Sequence, residues 1–506
     1  MFAATVLRRC QTSPDRTFLR VDDRAITYGE LLDTVRRTAS LLDSRGVGPG
    51  DHVLLTARNS PTFIYLWFAI RWVGAVCVPL HNQATAEHVR GIVTDADISF
   101  VAGDDDGIVE LSRAGLWNGP AAGFADYTEL ERCVARMAGL GPVSARQGDT
   151  CSLLYTSGTT GAPKGVVLSD ASFVAGGEQL AEALAVGPND RILLALPLFH
   201  TNPQVYGVMT ALATGCSLAL VDKFRPTEFL DDAIRLKATA FTYVGTVLTA
   251  LLRALPENIP PHRLRFCTGG GAPSEVWTGI EERLGVSVHE LYGMTELGGW
   301  VTANHAGDIR PGTCGTPRPD VTVAVLDDED VASPTGEPGE ICIRPLRPHV
   351  IFDGYRNRSD ATLAKMRNLW FHTGDVGVLD ADGRLSFLGR TDDLIRRNGE
   401  NVNPADVEWV LASHPEIAEV AVVGIPDELA GQEIRAVVVA SGPLDPLSIP
   451  EFLHSRLPRL AWPRYVAVVD ALPKTATQKI RSTLLRSRGD ADIDLRAERV
   501  HNNGRT

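Results

Sequence analysis

Between about residue 25 and residue 345, short apolar and β-branched runs recur: 52–57 (HVLLTA), 191–199 (RILLALPLF), 216–222 (CSLALVD), 240–245 (AFTYVG) and 321–327 (VTVAVLD). Each is apolar on both faces of an extended chain, so each predicts a strand buried on both sides, the situation of a parallel sheet with helices packed over it. Segments of helical period lie between them, such as 228–238 (EFLDDAIRLKA) and 275–285 (EVWTGIEERLG). The second ends on Gly285, which can take the left-handed conformation that closes a helix. This alternation predicts an α/β fold with a large multi-part N-terminal body.

Near residue 385 the texture changes. A Gly/Asp hairpin signal at 380–387 (DADGRLSF) leads into GRTDDLIRRNGENVNP, rich in charge and turn formers, and a boundary is expected at 390–393. After it come a helical segment (ADVEWVLASHP), two strand-like runs (AEVAVVGIP and IRAVVVA) and a further helix (IPEFLHSRLP), together a small α+β domain. The expected division is 1–389, a connection at 390–393, a second domain over 394–486, and a frayed polar tail over 487–506.

A chain of 506 residues needs more than one hydrophobic core, and 44% hydrophobic with 22% charged residues is the composition of a globular protein. Its 49 basic against 62 acidic residues leave a charge of −13, which excludes a surface built to hold polyanions. Single cations in a cleft can still bind a phosphorylated small molecule. Eight cysteines stand singly, without metal-ligand spacing, as in a reducing compartment. The longest apolar stretch, Phe63 to Leu80, contains Arg71 and ends on Pro79, so no membrane span is expected. The first residues lack the order of a secretory signal, and the expected location is the cytoplasm.

The strongest local signal runs from Tyr155 to Gly165. Thr156, Ser157, Thr159 and Thr160 bring hydroxyls, Gly158, Gly161 and Gly165 bring backbone freedom, and Lys164 brings a point charge. Glycines let successive N–H groups approach a ligand and hydroxyls donate to phosphate oxygens, so this is a polyphosphate-binding loop by chemistry. It is not a Walker loop, because Pro163 occupies the place of the second glycine.

Four further runs follow in order: Tyr292-Gly-Met-Thr-Glu296, Trp370-Phe-His-Thr-Gly-Asp375, Gly389-Arg-Thr-Asp-Asp393 and Pro473-Lys-Thr-Ala-Thr-Gln-Lys479. With the loop they resemble the adenylate-forming superfamily, its acyl-CoA ligase branch in particular. The runs 197–204 (PLFHTNPQ) and 396–408 (RRNGENVNPADVE) are similar to those of crotonobetaine/carnitine-CoA ligases. The resemblance covers residues 25 to 482. It implies that ATP activates a carboxylic acid as an acyl-adenylate, releasing pyrophosphate, and that a thiol, usually that of CoA, then takes the acyl group.

Under that resemblance Lys164 and the loop hydroxyls hold the β- and γ-phosphates, and Glu296, after Thr295, holds Mg²⁺. The run Gly269-Gly270-Gly271-Ala272-Pro273 packs on adenine, with Tyr292-Gly293-Met294 on its other side. Asp375 and Arg390 hold the ribose, Asp392 is the hinge, and Gly399 and Glu400 face CoA. Lys479 bridges carboxylate and α-phosphate in the first half-reaction; Gln478 beside it departs from the commonest pattern, which has glycine there. His200 resembles a gate at the acyl-pocket wall, the alternative being a core histidine. Asn202, Gln204, Tyr243, Gly298 and Trp300 fall where acyl-pocket contacts lie, and the polar ones suit a medium or aromatic acid bearing polar groups. Three readings stay open: a CoA ligase, an adenylating enzyme serving a carrier-protein thiol or an amine, and a catalytically silent relative. The working form is a monomer or a homodimer.

Overall fold

The computed structural model describes residues 1–81, 84–157, 163–391, 393–398, 400–427, 429–473, 480–489 and 492–496. The chain divides into two compact units: residues 1–324, 342–372 and 379–386 form the larger, and 325–341, 373–378 and 387 onward the smaller. The division is not contiguous, unlike the 1–389 body read from the sequence. Turn formers mark where a chain bends, whereas units are set by which strands share contacts.

In the larger unit a nine-stranded sheet runs in the order Thr316–Pro317, Thr302–Ala303, Ser287–Tyr292, Phe266–Gly270, Ala240–Val244, Arg191–Leu194, Ser217–Leu220, Thr17–Val21, Arg24–Thr27. The six strands from Ser287–Tyr292 to Thr17–Val21 are parallel. Ile192, Leu193 and Leu194 are all buried, as are Leu218, Ala219 and Leu220, so side chains on both faces of the pleat meet apolar neighbours. Parallel strands place all their carboxyl ends on one edge, the edge where open α/β sheets bind ligands.

A six-stranded sheet in the same unit follows the order Ala121–Phe124, Phe100–Asp104, His52–Thr56, Val76–Pro79, Thr150–Ser157, Pro163–Ser169. Its last two strands pair antiparallel as a hairpin, Thr156 opposite Lys164 and Ser157 opposite Pro163. The helices obey local rules. Thr27 and Glu30 form a reciprocal capping box for Tyr28–Ser44. Gly285 closes Ser274–Leu284 at φ 64°, as its place in the sequence predicts. The apolar stretch at 63–80 is a helix, Pro61–Trp72, buried on every side, followed by the strand Val76–Pro79. Among the described residues no helix is long and apolar enough to cross a membrane.

The smaller unit is built on the antiparallel pair Ile417–Asp427 and Gly431–Ala440, with Tyr465–Val468 parallel beside the latter. The helix Pro404–Ala412 contributes Val407 and Leu411 to a core shared with Ile434, Val438, Leu453 and Val466. The tail expected to fray from residue 487 does not do so at 492–495. Asp492–Asp494 pairs antiparallel with Tyr465–Val468, Arg435 clasps the Asp492 carboxylate at 2.8 to 3.0 Å, and Leu495 is buried. The segment is polar because its anchors are ionic, which hides it from any reading by apolar content.

Candidate active site

Lys164 enters the site from the second strand of the hairpin. Gly165 beside it is closely packed: a Cβ there would lie 2.9 Å from the Tyr155 ring and 3.2 Å from Arg356 Cβ. The Lys164 ammonium sits over the ring of Tyr355, 5.4 Å from its centre. The Tyr355 hydroxyl donates to Glu296 Oε1 at 2.8 Å, and the Phe352 N–H donates to the Glu296 carbonyl at 2.7 Å. One tyrosine thus touches both the lysine expected at the phosphates and the carboxylate expected at the metal. Burial, and then the Glu296 charge, push the Tyr355 hydroxyl far above its ordinary range, so it stays a donor.

Thr295 opens a 3₁₀ turn, Thr295–Leu297, closed by Gly298 at φ 69°. A carboxylate and a hydroxyl on one short turn are hard oxygen donors, which suits Mg²⁺. Gly158, Thr159, Thr160 and Gly161 lie outside the described residues, and Ser157 is described only as the strand end opposite Pro163.

The carboxyl ends of three neighbouring parallel strands build the second part of the site. Tyr243 comes from Ala240–Val244, Gly270 from Phe266–Gly270 and Glu290 from Ser287–Tyr292. Their approach is too close for side chains: a Cβ on Gly245 would lie 1.8 Å from the Gly271 carbonyl oxygen, and one on Gly269 would lie 2.1 Å from that of Tyr243. Gly271 itself takes φ 85°.

The Glu290 carboxylate, which no sequence signal marked, holds this corner. Its Oε1 accepts from Gly271 N–H at 2.5 Å and Ala272 N–H at 3.1 Å, and its Oε2 accepts from the Tyr243 hydroxyl at 2.5 Å. Burial pushes its pKa up to about 7 despite those donors. Beyond Pro273 the chain enters the helix Ser274–Leu284. Tyr292 is buried at the strand end opposite Thr302. A Cβ on Gly293 would meet the Gly299 carbonyl at 2.1 Å, and Met294 accepts from the N–H groups of Leu297 and Gly299.

Asn202 starts a π-helix, Asn202–Met209, a wide helical turn found mostly at functional positions. Its Nδ2 donates to the Tyr243 carbonyl at 2.9 Å, while its buried Oδ1 has no hydrogen-bond partner among the described residues. Gln204 Nε2 donates to the Leu198 carbonyl. His200 is exposed, its ring 4.4 Å from that of Phe199, which excludes the core-histidine alternative. Trp300 is fully buried: its indole N–H donates to the Gly176 carbonyl, and the Arg318 guanidinium stands 5.7 Å from its ring centre. At Gly298 a Cβ would collide with Ser172 Oγ at 2.3 Å.

In the smaller unit, Asp375 is buried and Arg390 approaches it to 3.6 Å. The bond from Thr391 N–H to the Gly374 carbonyl keeps their two segments together. Glu400 is exposed at the start of a short strand, opposite Arg397. Asp392, Gly399, Gln478 and Lys479 lie outside the described residues.

The AMP-binding enzyme family model matches residues 6–355, and the AMP-binding enzyme C-terminal domain model matches 406–479. The chain belongs to the AMP-binding enzyme family. Among its relatives, a probable CoA ligase of Humulus lupulus is 32% identical over 501 residues, spanning 94% of this chain and 93% of the relative. The o-succinylbenzoate-CoA synthetase of Bacillus subtilis, solved with its acyl-adenylate intermediate, superposes with a TM-score of 0.84 at 27% identity, covering 97% of this chain and 99% of the other. The same synthetase solved with ATP and a magnesium ion gives a TM-score of 0.83 at 28% identity, covering 96% and 99%. This AMP-binding enzyme therefore shares the adenylate-forming fold, with a large N-terminal and a small C-terminal domain.

Proposed function

We propose that this AMP-binding enzyme is an ATP- and Mg²⁺-dependent acid–thiol ligase, which activates a carboxylic acid as its acyl-adenylate and transfers the acyl group to CoA. The observation that carries this reading is the Lys164–Tyr355–Glu296 cluster at the foot of the Gly-rich hairpin. A carboxylate attacking the α-phosphate of ATP brings two anions together, so the barrier falls when fixed positive charge and oriented donors meet the developing charge. Lys164 supplies a charge toward the phosphates; Thr295 and Glu296 would hold Mg²⁺, which when bound neutralises phosphate oxygens. The Gly270–Pro273 turn and Tyr292 take the adenine, and Asp375 with Arg390 takes the ribose.

Lys479 acts in adenylation, bridging the carboxylate and the α-phosphate. A rotation at Asp392 then removes it and brings the side around Gly399 and Glu400 to the thiol, because both reagents must reach one carbonyl. The acid is a compact one, aromatic or medium-sized, carrying a hydrogen-bond donor. Asn202 Oδ1 supports this, as a buried acceptor left without a partner gains most from a ligand that donates. The Bacillus subtilis relative acts on o-succinylbenzoate, an acid of that compact aromatic kind. None of the eight cysteines is in a disulfide, in keeping with a reducing cytoplasm.

The test is pyrophosphate release against a panel of aliphatic, aromatic and polar acids, with Mg²⁺ and ATP, with and without CoA. Acid-dependent release with an acyl-CoA product is expected. Release without a CoA product would move the acceptor to a carrier protein or an amine, and no release with any acid would leave a silent relative.

A further inference from the structure

The corner formed by Tyr243, the Gly271–Ala272 turn and Glu290 has a property that none of the motifs carries. A single carboxylate is shared between two elements with different expected ligands: the turn, on the nucleotide side, and a fully buried tyrosine that backs Asn202 on the acid side. Oε1 accepts from both turn amides, and Oε2 accepts from the phenol and, at 3.3 Å, from the Ala272 amide as well, so one carboxylate bridges turn and tyrosine. Close packing of its carbonyl on Gly245 holds one side of the turn. Gly271 sits at φ 85° in a stretch of three consecutive glycines, a sequence with the largest conformational freedom to lose, so the two N–H bonds to Glu290 help fix where the turn stays. Tyr243 in turn holds Asn202 through its carbonyl, and Asn202 carries the unpartnered Oδ1.

We propose that Glu290 is a positioning residue for adenylation, whose one carboxylate sets the nucleotide turn and the acid-side wall together, so that affinity for ATP and affinity for the acid change in concert. This rests on the assignment of the Gly270–Pro273 turn to adenine. The ionised carboxylate is the form that can accept all three donors. A protonated Glu290 must donate its own hydrogen, and two of its neighbours are amides that cannot accept.

The titratable groups facing it are Tyr243 and Cys267 on the two adjacent strands and Tyr206 on the π-helix; burial raises all three, so each stays neutral. The Arg318 charge opposes the rise at Tyr206 without overcoming burial. With its own pKa at about 7, Glu290 is the group among these that changes charge near neutrality, and acidification through that point loosens the turn.

The experiment compares wild type with Glu290→Gln, Glu290→Ala and Tyr243→Phe in steady-state kinetics from pH 5.5 to 8.5, with AMP binding measured by calorimetry. Wild type is expected to lose affinity for ATP as pH falls through about 7. Glu290→Gln keeps an oxygen for the two amides and gives an NH₂ to the phenol oxygen, so it folds and binds AMP, and its ATP KM loses that pH dependence. Glu290→Ala raises both KM values, each by about tenfold, the loss of one well-placed hydrogen-bond set. Tyr243→Phe raises the acid KM while leaving AMP binding intact. A retained acid limb in Glu290→Gln, or Glu290→Ala with lowered thermal stability but unchanged KM values, overturns the proposal. Wild type that neither binds AMP nor releases pyrophosphate overturns the adenine assignment itself, and the proposal with it.

Discussion

Each unit of the molecule holds a glutamate, buried in the larger and half-buried in the smaller, whose pKa is pushed up to about 7, and the two are put to different use. Glu290 spends its lone pairs on a glycine turn and a tyrosine at the carboxyl edge of a parallel sheet, where ligands bind. Glu408, on the helix Pro404–Ala412, accepts from Val422 N–H at 2.8 Å and so ties helix to strand inside its own core. Burial raises both, and at Glu408 the nearby Asp393 charge adds to it. The same electrostatic signature therefore marks substrate geometry in one unit and internal packing in the other. A perturbed carboxyl becomes a functional candidate only when its donors belong to a surface that a ligand can reach.

The largest expected effect comes from the one residue of the smaller unit assigned to chemistry. Lys479→Ala should slow adenylate formation by on the order of 10²-fold or more, while thioester formation from preformed adenylate proceeds nearly as before. Rapid-quench measurement of each half-reaction separates the two. Equal losses in both would mean that Lys479 has no step-specific role, and the smaller unit would be left with substrate binding alone.

The second prediction isolates Glu408. Its folded pKa, about 7, lies above the ordinary 4.5, so the folded state keeps a proton that the unfolded chain gives up. The sign follows: its contribution is fully present below pH 4.5 and is lost as pH rises to about 7. Glu408→Gln imitates the protonated form and can still accept from Val422 N–H. Relative to wild type, its stability should rise between pH 5 and pH 8 by on the order of 2 kcal/mol, less than the full shift because the side chain is only half-buried. Denaturant melts at the two pH values read this directly. KM values for ATP and acid should stay those of wild type; a change in either would place Glu408 in the same class as Glu290 and dissolve the comparison.

What the sequence made legible follows from range. Gly285 closes its helix by a local φ requirement, and the runs at 191–199 and 240–245 are strands because apolar residues on both faces leave few alternatives. The phosphate-binding expectation for residues 155–165 could be formed from the sequence because its residue types are contiguous. Glu290 and Tyr355 were not, because their meaning depends on partners 47 and 59 residues away that meet only once strand order is fixed. The strand Asp492–Asp494 was hidden for a related reason: Arg435, 57 residues earlier, anchors it, and an aspartate read alone gives no hint of a waiting arginine. The π-helix at Asn202–Met209 has no sequence signature: Pro203 suits a helix start, but Val205, Tyr206, Gly207 and Val208 are weak helix formers.

The smallest effect tests whether such a long-range tyrosine matters to the chemistry. Tyr355→Phe keeps the ring under the Lys164 ammonium and removes only the hydroxyl that donates to Glu296. The carboxylate then keeps its charge but loses the bond that fixes its rotamer, and a ligand carboxylate without such support typically loses about tenfold or more in metal affinity. An increase of about tenfold in the KM for Mg·ATP is therefore expected, with kcat nearly unchanged and most of the loss recovered at high Mg²⁺. Tyr355→Leu, which also removes the ring, should add a loss that extra Mg²⁺ does not recover, because the lysine has lost its platform. If both variants respond to Mg²⁺ alike, the ring is packing only, and the link from Lys164 to Glu296 is one of proximity rather than of function.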